Sequence, residues 1–414
     1  MVPNGWEVKE LQFLCNKIAV GLAISVTPFM RTSGVKLIRN QNIKRNYFNS
    51  DSVVYIDEVF ANSNKSKKVR HGDVVAVRTG SNIGEACVVP KDFDGALTFT
   101  TLIARPNPDL LDSFYLSTHI NSDRGISEVN RLCAGGGKPN LNSGELKRYR
   151  LLTPPLPEQK KIAQILSTWD KAIASTEQLL TNSQQQKKAL MQQLLTGKKR
   201  LLDKNGVRFS GEWIHGRLGD LCTFKGGSAF KEVYQGQTAG EFPFIKVSDM
   251  NLPGNERSIE YSNNWVSVET AKLMKAKPFP ESSIVFAKVG AALLLNRRRI
   301  LSRPTIIDNN MMAAIPSNVA DTEFLYQLLM AIDFARFVQE GAVPSINQGD
   351  LSSFKLSYPD VEEQQKIAAA LSNADQEIAL LQQKLEALKQ EKKALMQQLL
   401  TGKRRVKVGG VTNG

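Results

Sequence analysis

The chain contains the same basic-tailed segment twice. KKALMQQLLTGKKRL spans positions 187–201 and KKALMQQLLTGKRRV spans positions 392–406, so thirteen of fifteen residues are identical at an offset of 205. The same offset holds upstream, where PEQKKIA at 157–163 matches EEQQKIA at 362–368. A long internal repeat constrains the architecture more than any other feature, because each copy must build the same structural unit.

The repeat extends through the rest of the chain in a weaker form. Trp6 matches Trp213 at an offset of 207, and VRTG at 77–80 matches AKVG at 287–290 at an offset of 210. Each half is therefore predicted to be a globular part followed by a long helix. Duplication with simple drift would blur both parts about equally, but the helices match closely without a gap whereas the globular parts share only a skeleton. This asymmetry favours one scaffold used twice with two different target surfaces.

Each predicted helix carries an apolar seam with spacings of four and three, the pattern of a coiled coil. About 38 residues at ~1.5 Å each make a rod of roughly 57 Å, which favours a neighbouring helix over packing on one small domain alone. Lys187 and Lys392 are equivalent seam residues, and a polar seam residue can fix register and partner. The seam residues are Ile162, Leu166, Trp169, Ile173, Leu180, Lys187, Leu190 and Leu194 in the first helix and Ile367, Leu371, Ile378, Leu381, Leu385, Leu388, Lys392, Leu395 and Leu399 in the second.

Start and stop signals set the domain boundaries. Prolines precede each helix, and Gly197 or Gly402 supplies a C-terminal cap followed by cations. The predicted segments are a globular domain at 1–153, a helix at 154–200, a linker and second domain at 201–358, a second helix at 359–406 and a flexible tail at 407–414.

The globular parts are predicted to be mixed α/β (α+β). Apolar, β-branched runs bounded by turn residues indicate strands at 53–56, 72–77, 283–287 and 305–307. Residues 324–338 are predicted to form a helix.

The charge balance indicates a polyanionic partner. The chain of 414 residues has a net charge of +14, which suits nucleic acid or an anionic membrane surface. The longest apolar run, 18–30, is about 13 residues and contains Pro28, whereas a membrane helix needs roughly 20. Charged residues at the N-terminus exclude a secretory signal, and four scattered cysteines without a C-x-x-C pair indicate reduced thiols. We therefore expect a cytoplasmic protein that binds nucleic acid and no membrane.

Motifs for catalysis are missing from the sequence. The run of glycines at 135–137 precedes Lys138, as in a phosphate-binding loop. Such a loop has Ser or Thr after the lysine and continues into a helix, whereas this sequence has Pro139 there. There is no Gly-x-Gly-x-x-Gly after a strand and no Asn-Pro-Pro-Tyr/Phe segment, and the three histidines lack metal-ligand spacing. A self-contained methyltransferase or nuclease would need such motifs, so we expect no catalytic residue, no metal and no cofactor in this chain.

Basic and polar loop residues are the remaining candidates for function. Cations position a protein on phosphates, and Arg or Asn can contact base edges in the major groove. The candidate DNA-contacting residues are Lys65, Lys67, Lys68, Arg70, Arg78, Ser81, Asn82 and Lys138 in the first half and Lys246, Lys288, Arg297, Arg298 and Arg299 in the second.

Two doubled motifs connect the chain to a known family. Each helix begins with Pro-x-x-Glu-Gln-x-x-Ile-Ala, at 155–163 and at 360–368 with Asp in place of the proline, and each ends with Leu-Met-Gln-Gln-Leu-Leu-Thr-Gly-Lys. Over essentially its whole length the chain resembles the specificity subunit of type I restriction-modification systems.

The resemblance implies an architecture and a set of partners. In that family the two helices form an antiparallel coiled coil, and two target recognition domains related by a pseudo-twofold each read half of a split, asymmetric double-stranded DNA site. Two modification (methyltransferase) subunits and restriction (translocase/nuclease) subunits supply adenine methylation and cleavage, so S-adenosylmethionine, ATP and Mg are expected in those partners. The alternative is a duplicated coiled-coil adaptor that organises protein partners without DNA, which would show no salt-dependent DNA binding.

Overall fold

The computed structural model describes residues 2–133, 139–339 and 343–408. The chain divides into two compact units, Met1–Glu177 with Gln383–Gly414 (unit 1) and Gln178–Gln382 (unit 2). Each unit combines one globular domain with part of both long helices. This division cuts through the helices, whereas the sequence boundaries place each helix in a segment of its own. The end of the predicted flexible tail, 409–414, lies outside the described residues.

Unit 1 contains short strands in small sheets. Its strands are β1 (Glu7–Glu10), β2 (Cys15–Val20), β3 (Met30–Arg31), β4 (Val35–Ile38), β5 (Ile43–Lys44), β6 (Tyr47–Phe48), β7 (Val54–Ile56), β8 (Val74–Val77), β9 (Ala86–Val88), β10 (Leu97–Thr98), β11 (Thr101–Pro106) and β12 (Arg150–Thr153). The two larger sheets have the orders β2-β11-β8-β9 and β10-β4-β7-β3, and β1 pairs with β12 directly before the first long helix.

Unit 2 repeats this arrangement with different details. Its strands are β13 (Ile214–Arg217), β14 (Cys222–Gly226), β15 (Phe242–Ile245), β16 (Ser258–Ile259), β17 (Trp265–Val266), β18 (Ile284–Ala287), β19 (Arg299–Leu301), β20 (Ile306–Ile307), β21 (Met311–Pro316) and β22 (Lys355–Tyr358). The sheet order β14-β21-β18 corresponds to β2-β11-β8, and β13 pairs with β22 as β1 does with β12.

The central strands are apolar at every position because both of their faces are covered. In β8, Val74 and Ala76 join one apolar core, and Val75 and Val77 join another. In β18, Ile284 and Phe286 face one core while Val285 faces a second. Successive strand residues point to opposite faces, so a continuous apolar run is what two cores require.

Short helices connect the strands, and side chains cap several of their N-termini. Asp112 and Asp321 cap equivalent helices of the two units. The short helices are α1 (Glu58–Ser63), α2 (Ser113–Ile120), α3 (Asp123–Cys133) and α4 (Ser143–Lys147) in unit 1 and, after the long α5 (Leu156–Leu194), α6 (Leu218–Leu221), α7 (Val268–Leu273), α8 (Ala291–Leu294), α9 (Thr322–Ala331) and α10 (Gln348–Ser352) in unit 2.

The predicted helix at 324–338 is wrong in its C-terminal part. α9 ends at Ala331, and a separate 3-10 turn covers Phe334–Phe337. The backbone between them bonds to distant side chains: the Ile332 carbonyl accepts from Arg298, and the Phe334 N–H donates to Asn296. These tertiary bonds replace helical ones, which local periodicity does not reveal.

The two long helices are α5 (Leu156–Leu194) and α11 (Val361–Leu400). Each is followed by a glycine in the left-handed conformation, Gly197 with φ +70° and Gly402 with φ +68°. Glycine adopts this conformation without steric cost, which explains why both repeats end the helix at Thr-Gly.

Within each unit the helix segments run antiparallel. In unit 1, Asp170 bonds Lys392 and Glu177 bonds Lys389, so the residue numbers increase along α5 where those of the contacting residues on α11 decrease. In unit 2, Lys187 bonds Asp375, and Ser183 bonds Glu377. All the seam residues named above are buried or half-buried. The predicted mixed α/β class with a doubled long helix is confirmed.

Candidate nucleic-acid interface

Arg78 and Lys288 occupy the same place in the two domains. Arg78 directly follows β8, and Lys288 directly follows the equivalent strand β18. The Arg78 carbonyl accepts from the Leu141 N–H at 3.0 Å, and the Lys288 carbonyl accepts from the Ile346 N–H at 3.0 Å. Both basic side chains are half-exposed. The structure thus presents one cation at the same strand end in each unit.

The loop after Arg78 carries two further candidates. Ser81 and Asn82 are exposed, and the Ser81 hydroxyl bonds the Asn82 Oδ1 at 3.2 Å. The Arg78 Nε donates to the Asn140 Oδ1 at 3.1 Å, which ties the guanidinium to a residue far along the chain. Lys138, also a candidate, lies outside the described residues.

The cations at 65–70 precede β8 in the chain, whereas Arg78 follows it. Lys65 and Arg70 are exposed, as a phosphate contact requires. Lys67 donates to the Val20 carbonyl at 3.1 Å and Lys68 to the Asn62 Oδ1 at 3.3 Å. Lys67 and Lys68 bond different segments from the one that Arg78 bonds, so the described contacts do not gather all the candidates of unit 1 into one cluster.

Lys246 is held by its own domain. Its Nζ bonds the Gln235 Oε1 and lies 5.5 Å from the centre of the Phe230 ring. The side chain is half-buried. These contacts leave the ammonium less available to a phosphate than the ammonium of an exposed lysine.

The three arginines at 297–299 do not form one surface cluster, which corrects the sequence interpretation. Arg298 is only 1% exposed, its guanidinium carbon lies 3.8 Å from the Phe334 ring centre, and its Nη2 donates to the Ile332 carbonyl at 2.7 Å. Burial lowers the pKa of Arg298 to about 10, so it stays charged at neutral pH. A side chain in this position braces the fold and cannot contact DNA.

The neighbours of Arg298 differ from it in exposure. Arg299 is half-buried and donates to the carbonyls of Arg298 at 2.7 Å and Met250 at 3.2 Å. Burial lowers its pKa. Arg297 is exposed and bonds the Asn251 side chain. Arg297 is therefore the member of this run that remains a surface candidate.

A buried glutamate anchors the start of each long helix. In unit 1, Glu158 accepts from the Trp6 Nε1 at 3.1 Å and from Arg405 at 2.7 and 2.8 Å. Arg405 follows α11, so this trio ties the N-terminal segment, the start of α5 and the segment after α11 together. The side chain of Glu158 is only 4% exposed, so it needs such partners.

Unit 2 contains the same trio. Glu363 accepts from the Trp213 Nε1 at 3.2 Å and from Arg200 at 2.6 Å through both Nε and Nη2. The bond to Glu363 raises the pKa of Arg200. The Trp, Glu and Arg of each trio recur at equivalent positions of the repeat, so the sequence contained an indication of both trios. The contact between the three residues was not predicted.

The glutamine that follows each of these glutamates bonds the backbone at the N-terminus of a short helix, α2 in unit 1 and α9 in unit 2. The Gln159 Oε1 accepts from the Asp112 N–H at 2.9 Å, and the Gln364 Oε1 accepts from the Asp321 N–H at 2.9 Å. Both glutamines are fully buried. The doubled Glu-Gln motif is therefore a docking device that fixes each globular domain on its helix.

The described residues contain no group of three or more His, Cys, Asp or Glu side chains placed to hold a metal ion. Burial raises the pKa of the Cys15, Cys87 and Cys222 thiols to about 12, which keeps them protonated and poorly nucleophilic. Among the same residues, no helix has the length and apolarity needed to cross a membrane.

Comparisons with known proteins match most of this chain. The family model described as "Type I restriction modification DNA specificity domain" matches twice, at residues 3–182 and 210–390. The type I restriction enzyme MjaVIII specificity subunit of Methanocaldococcus jannaschii is 25% identical over 365 residues, which cover 83% of this chain and 82% of that protein. The type I restriction enzyme EcoR124I/EcoR124II specificity subunit of Escherichia coli is 24% identical over 241 residues, which cover 55% of this chain and 56% of that protein.

Solved structures show the same fold. The S subunit of a type I restriction-modification system from M. genitalium superposes with a TM-score of 0.60 at 16% identity, covering 96% of this chain and 97% of that one. Because the family model covers both globular domains and the helix segments that follow them, this chain belongs to the type I restriction modification DNA specificity domain family.

Proposed function

We propose that this chain is the non-catalytic DNA-recognition subunit of a type I restriction-modification complex. Each domain reads one half of a bipartite, asymmetric double-stranded DNA site. The related proteins are named as specificity subunits of restriction enzymes, which supports this assignment over a DNA-independent adaptor. The net charge of +14 supports it too, since a DNA reader must neutralise phosphates.

One observation carries the proposal most directly. The two units use the same buried anchors, Glu158 and Glu363, at the start of helices that end in nearly identical sequence. In contrast, the domains that sit on these anchors present different side chains at equivalent positions, such as Arg78 and Lys288. A preserved scaffold under two divergent surfaces suits a protein that reads two different half-sites.

The partners follow from the same proposal. Two modification subunits bind this chain and methylate adenine in the recognised site, and restriction subunits join them for cleavage. S-adenosylmethionine, ATP and Mg belong to those subunits.

The test is to express this chain with its modification subunits in a host without adenine methylation and to map the methylated adenines. The expected result is one motif with two fixed blocks separated by a spacer of constant length. The matched control is the same host with the modification subunits alone, which should show no such motif. Identical methylation with and without this chain would contradict the proposal.

DNA binding provides a second readout. Affinity for the mapped site should fall steeply with salt, with a log–log slope of about −0.9 for each neutralised phosphate. An adaptor that only organises proteins would show no such dependence.

A further inference from the structure

The backbone around Arg78 is built in the same way as the backbone around Lys288. Residue 79 forms an antiparallel bridge with Asn140, and residue 289 forms the equivalent bridge with Ser345. Immediately after each bridge, a buried apolar residue and a capping asparagine lead into a short helix, α4 or α10. Each cation therefore stands on a strand end that is fixed by a second segment of its domain.

The side chains at this shared position differ between the units. In unit 1, the Asn140 Oδ1 accepts from the Arg78 Nε at 3.1 Å. In unit 2, Lys288 and Ser345 replace this pair. The Lys288 ammonium lies over Gly226, 3.2 Å from where a β-carbon on that glycine would be. One backbone arrangement thus carries two different polar groups, as expected if each domain contacts a different base.

The contact with Asn140 defines what Arg78 can bind. A guanidinium has five N–H donors in a rigid plane, and Asn140 takes the one on Nε. Among the described residues, no protein acceptor bonds the terminal nitrogens of Arg78, whose side chain is half-exposed. Two donors in one plane match the O6 and N7 acceptors of guanine in the major groove.

We propose that Arg78, oriented by Asn140, reads a guanine in the half-site of the first domain, and that Lys288 occupies the equivalent base-reading position in the second. Asn140 is a positioning residue, because it holds the guanidinium plane and does not itself contact DNA. This inference rests on the proposed function and names the residues that give it specificity.

The experiment uses the full chain in complex with its modification subunits. Arg78→Ala should lower discrimination at one G·C pair of one half-site by roughly tenfold to a hundredfold and leave the other half-site unchanged. Asn140→Ala should relax the same position by a smaller factor. Methylated motifs and binding to oligonucleotides substituted at each position give both readouts.

Lys65→Ala is the matched control, because Lys65 is an exposed cation on the same domain in a segment that precedes β8. If Lys65 contacts phosphate, its loss lowers the salt slope by about 0.9 and changes no base preference. Arg78→Lys keeps the positive charge but cannot donate two coplanar bonds, so it should relax the same base pair. This variant keeps the test decisive if Arg78→Ala fails to fold.

Two outcomes would overturn the inference. One is an unchanged motif in Arg78→Lys and Arg78→Ala with affinity lowered equally at all sequences, which would make Arg78 a phosphate contact. The other is a first half-site without guanine. In both cases the wild-type complex still binds DNA, whereas failure of the proposed function would remove salt-dependent DNA binding from the wild type itself.

Discussion

The Nζ atom of Lys187 lies 2.5 Å from the Oδ1 of Asp375 in the seam between the two long helices. The two side chains are only 15% and 30% exposed. Lys392 bonds Asp170 in the same way, and both pairs are related by the offset of 205. Each of the two seam lysines is therefore paired with an opposite charge on the other helix, which favours the antiparallel register within each unit.

Reversing one charge of this pair should destabilise the chain, and reversing both should restore stability. We expect Lys187→Asp or Asp375→Lys alone to cost about 1–3 kcal/mol, because each places like charges together in a partly buried site. Denaturant unfolding measures the loss. Lys389→Ala is the control, since its pair with Glu177 is 46% and 50% exposed and should contribute only ~0.5 kcal/mol. A double variant no more stable than the singles would contradict this account.

His119 should make stability depend on acid pH. Burial lowers its pKa to about 3, with Arg124 adding to the effect and Glu128 opposing it. Below pH ~6.5 this imidazole is protonated in the unfolded chain but remains neutral in the folded one. The unfolding free energy should therefore fall by up to ~1.4 kcal/mol per pH unit as the pH is lowered from about 6.5 to 3. His119→Gln should flatten this slope in urea titrations at several pH values. The control is His215→Gln, because His215 is exposed. If His119→Gln shows the same slope of stability against pH as the wild type, His119 is not the group responsible.

Arg298 and Arg297 should behave differently although they are adjacent. Arg298→Ala removes a buried side chain that packs on Phe334 and donates to the Ile332 carbonyl, so we expect a loss of about 2–4 kcal/mol in unfolding free energy. Arg297→Ala should change stability by only ~0.5 kcal/mol because Arg297 is exposed. Thermal and denaturant unfolding measure both variants. If Arg298→Ala and Arg297→Ala lose the same stability, Arg298 is not a structural residue.

The chain should tolerate circular permutation. In unit 1, Arg405 bonds both Glu158 and the Asn4 carbonyl, so the segment after α11 lies beside the N-terminal segment. In unit 2, Arg200 makes the equivalent bond to Glu363 after α5. A peptide joining the original termini, with a new opening near Gly206, should therefore fold and direct methylation to the same motif. Opening the chain inside β8 serves as the control and should abolish folding, while loss of activity in both would contradict the prediction.

A single half should form a symmetric dimer. Residues 1–205 include α5, whose 178–194 segment can take the place of the equivalent α11 residues, so that Asp170 pairs with Lys187 of the partner subunit. The dimer should be weaker than the intact chain because it lacks the covalent link. With modification subunits it should methylate an interrupted palindrome, since a twofold reader requires a symmetric site. A folded half that remains monomeric in light scattering, or that methylates the parent site, would contradict the two-half architecture.

The sequence by itself determined the repeat, the two long helices and their seam, and the family. These features are local or periodic: a heptad pattern and a terminal Thr-Gly are set by residues a few positions apart. Even the buried anchors left a trace, because Glu158 and Glu363 recur at the same point of each copy.

Only the tertiary structure decided which cations face solvent. Arg298 stands in a run of three arginines that indicated a surface cluster, yet it is buried and its Nη2 donates to the carbonyl of Ile332, 34 residues away. Arg78 meets Asn140 across 62 residues. The burial of a charge depends on partners that are distant in the chain, and a single sequence does not encode that proximity in any local pattern.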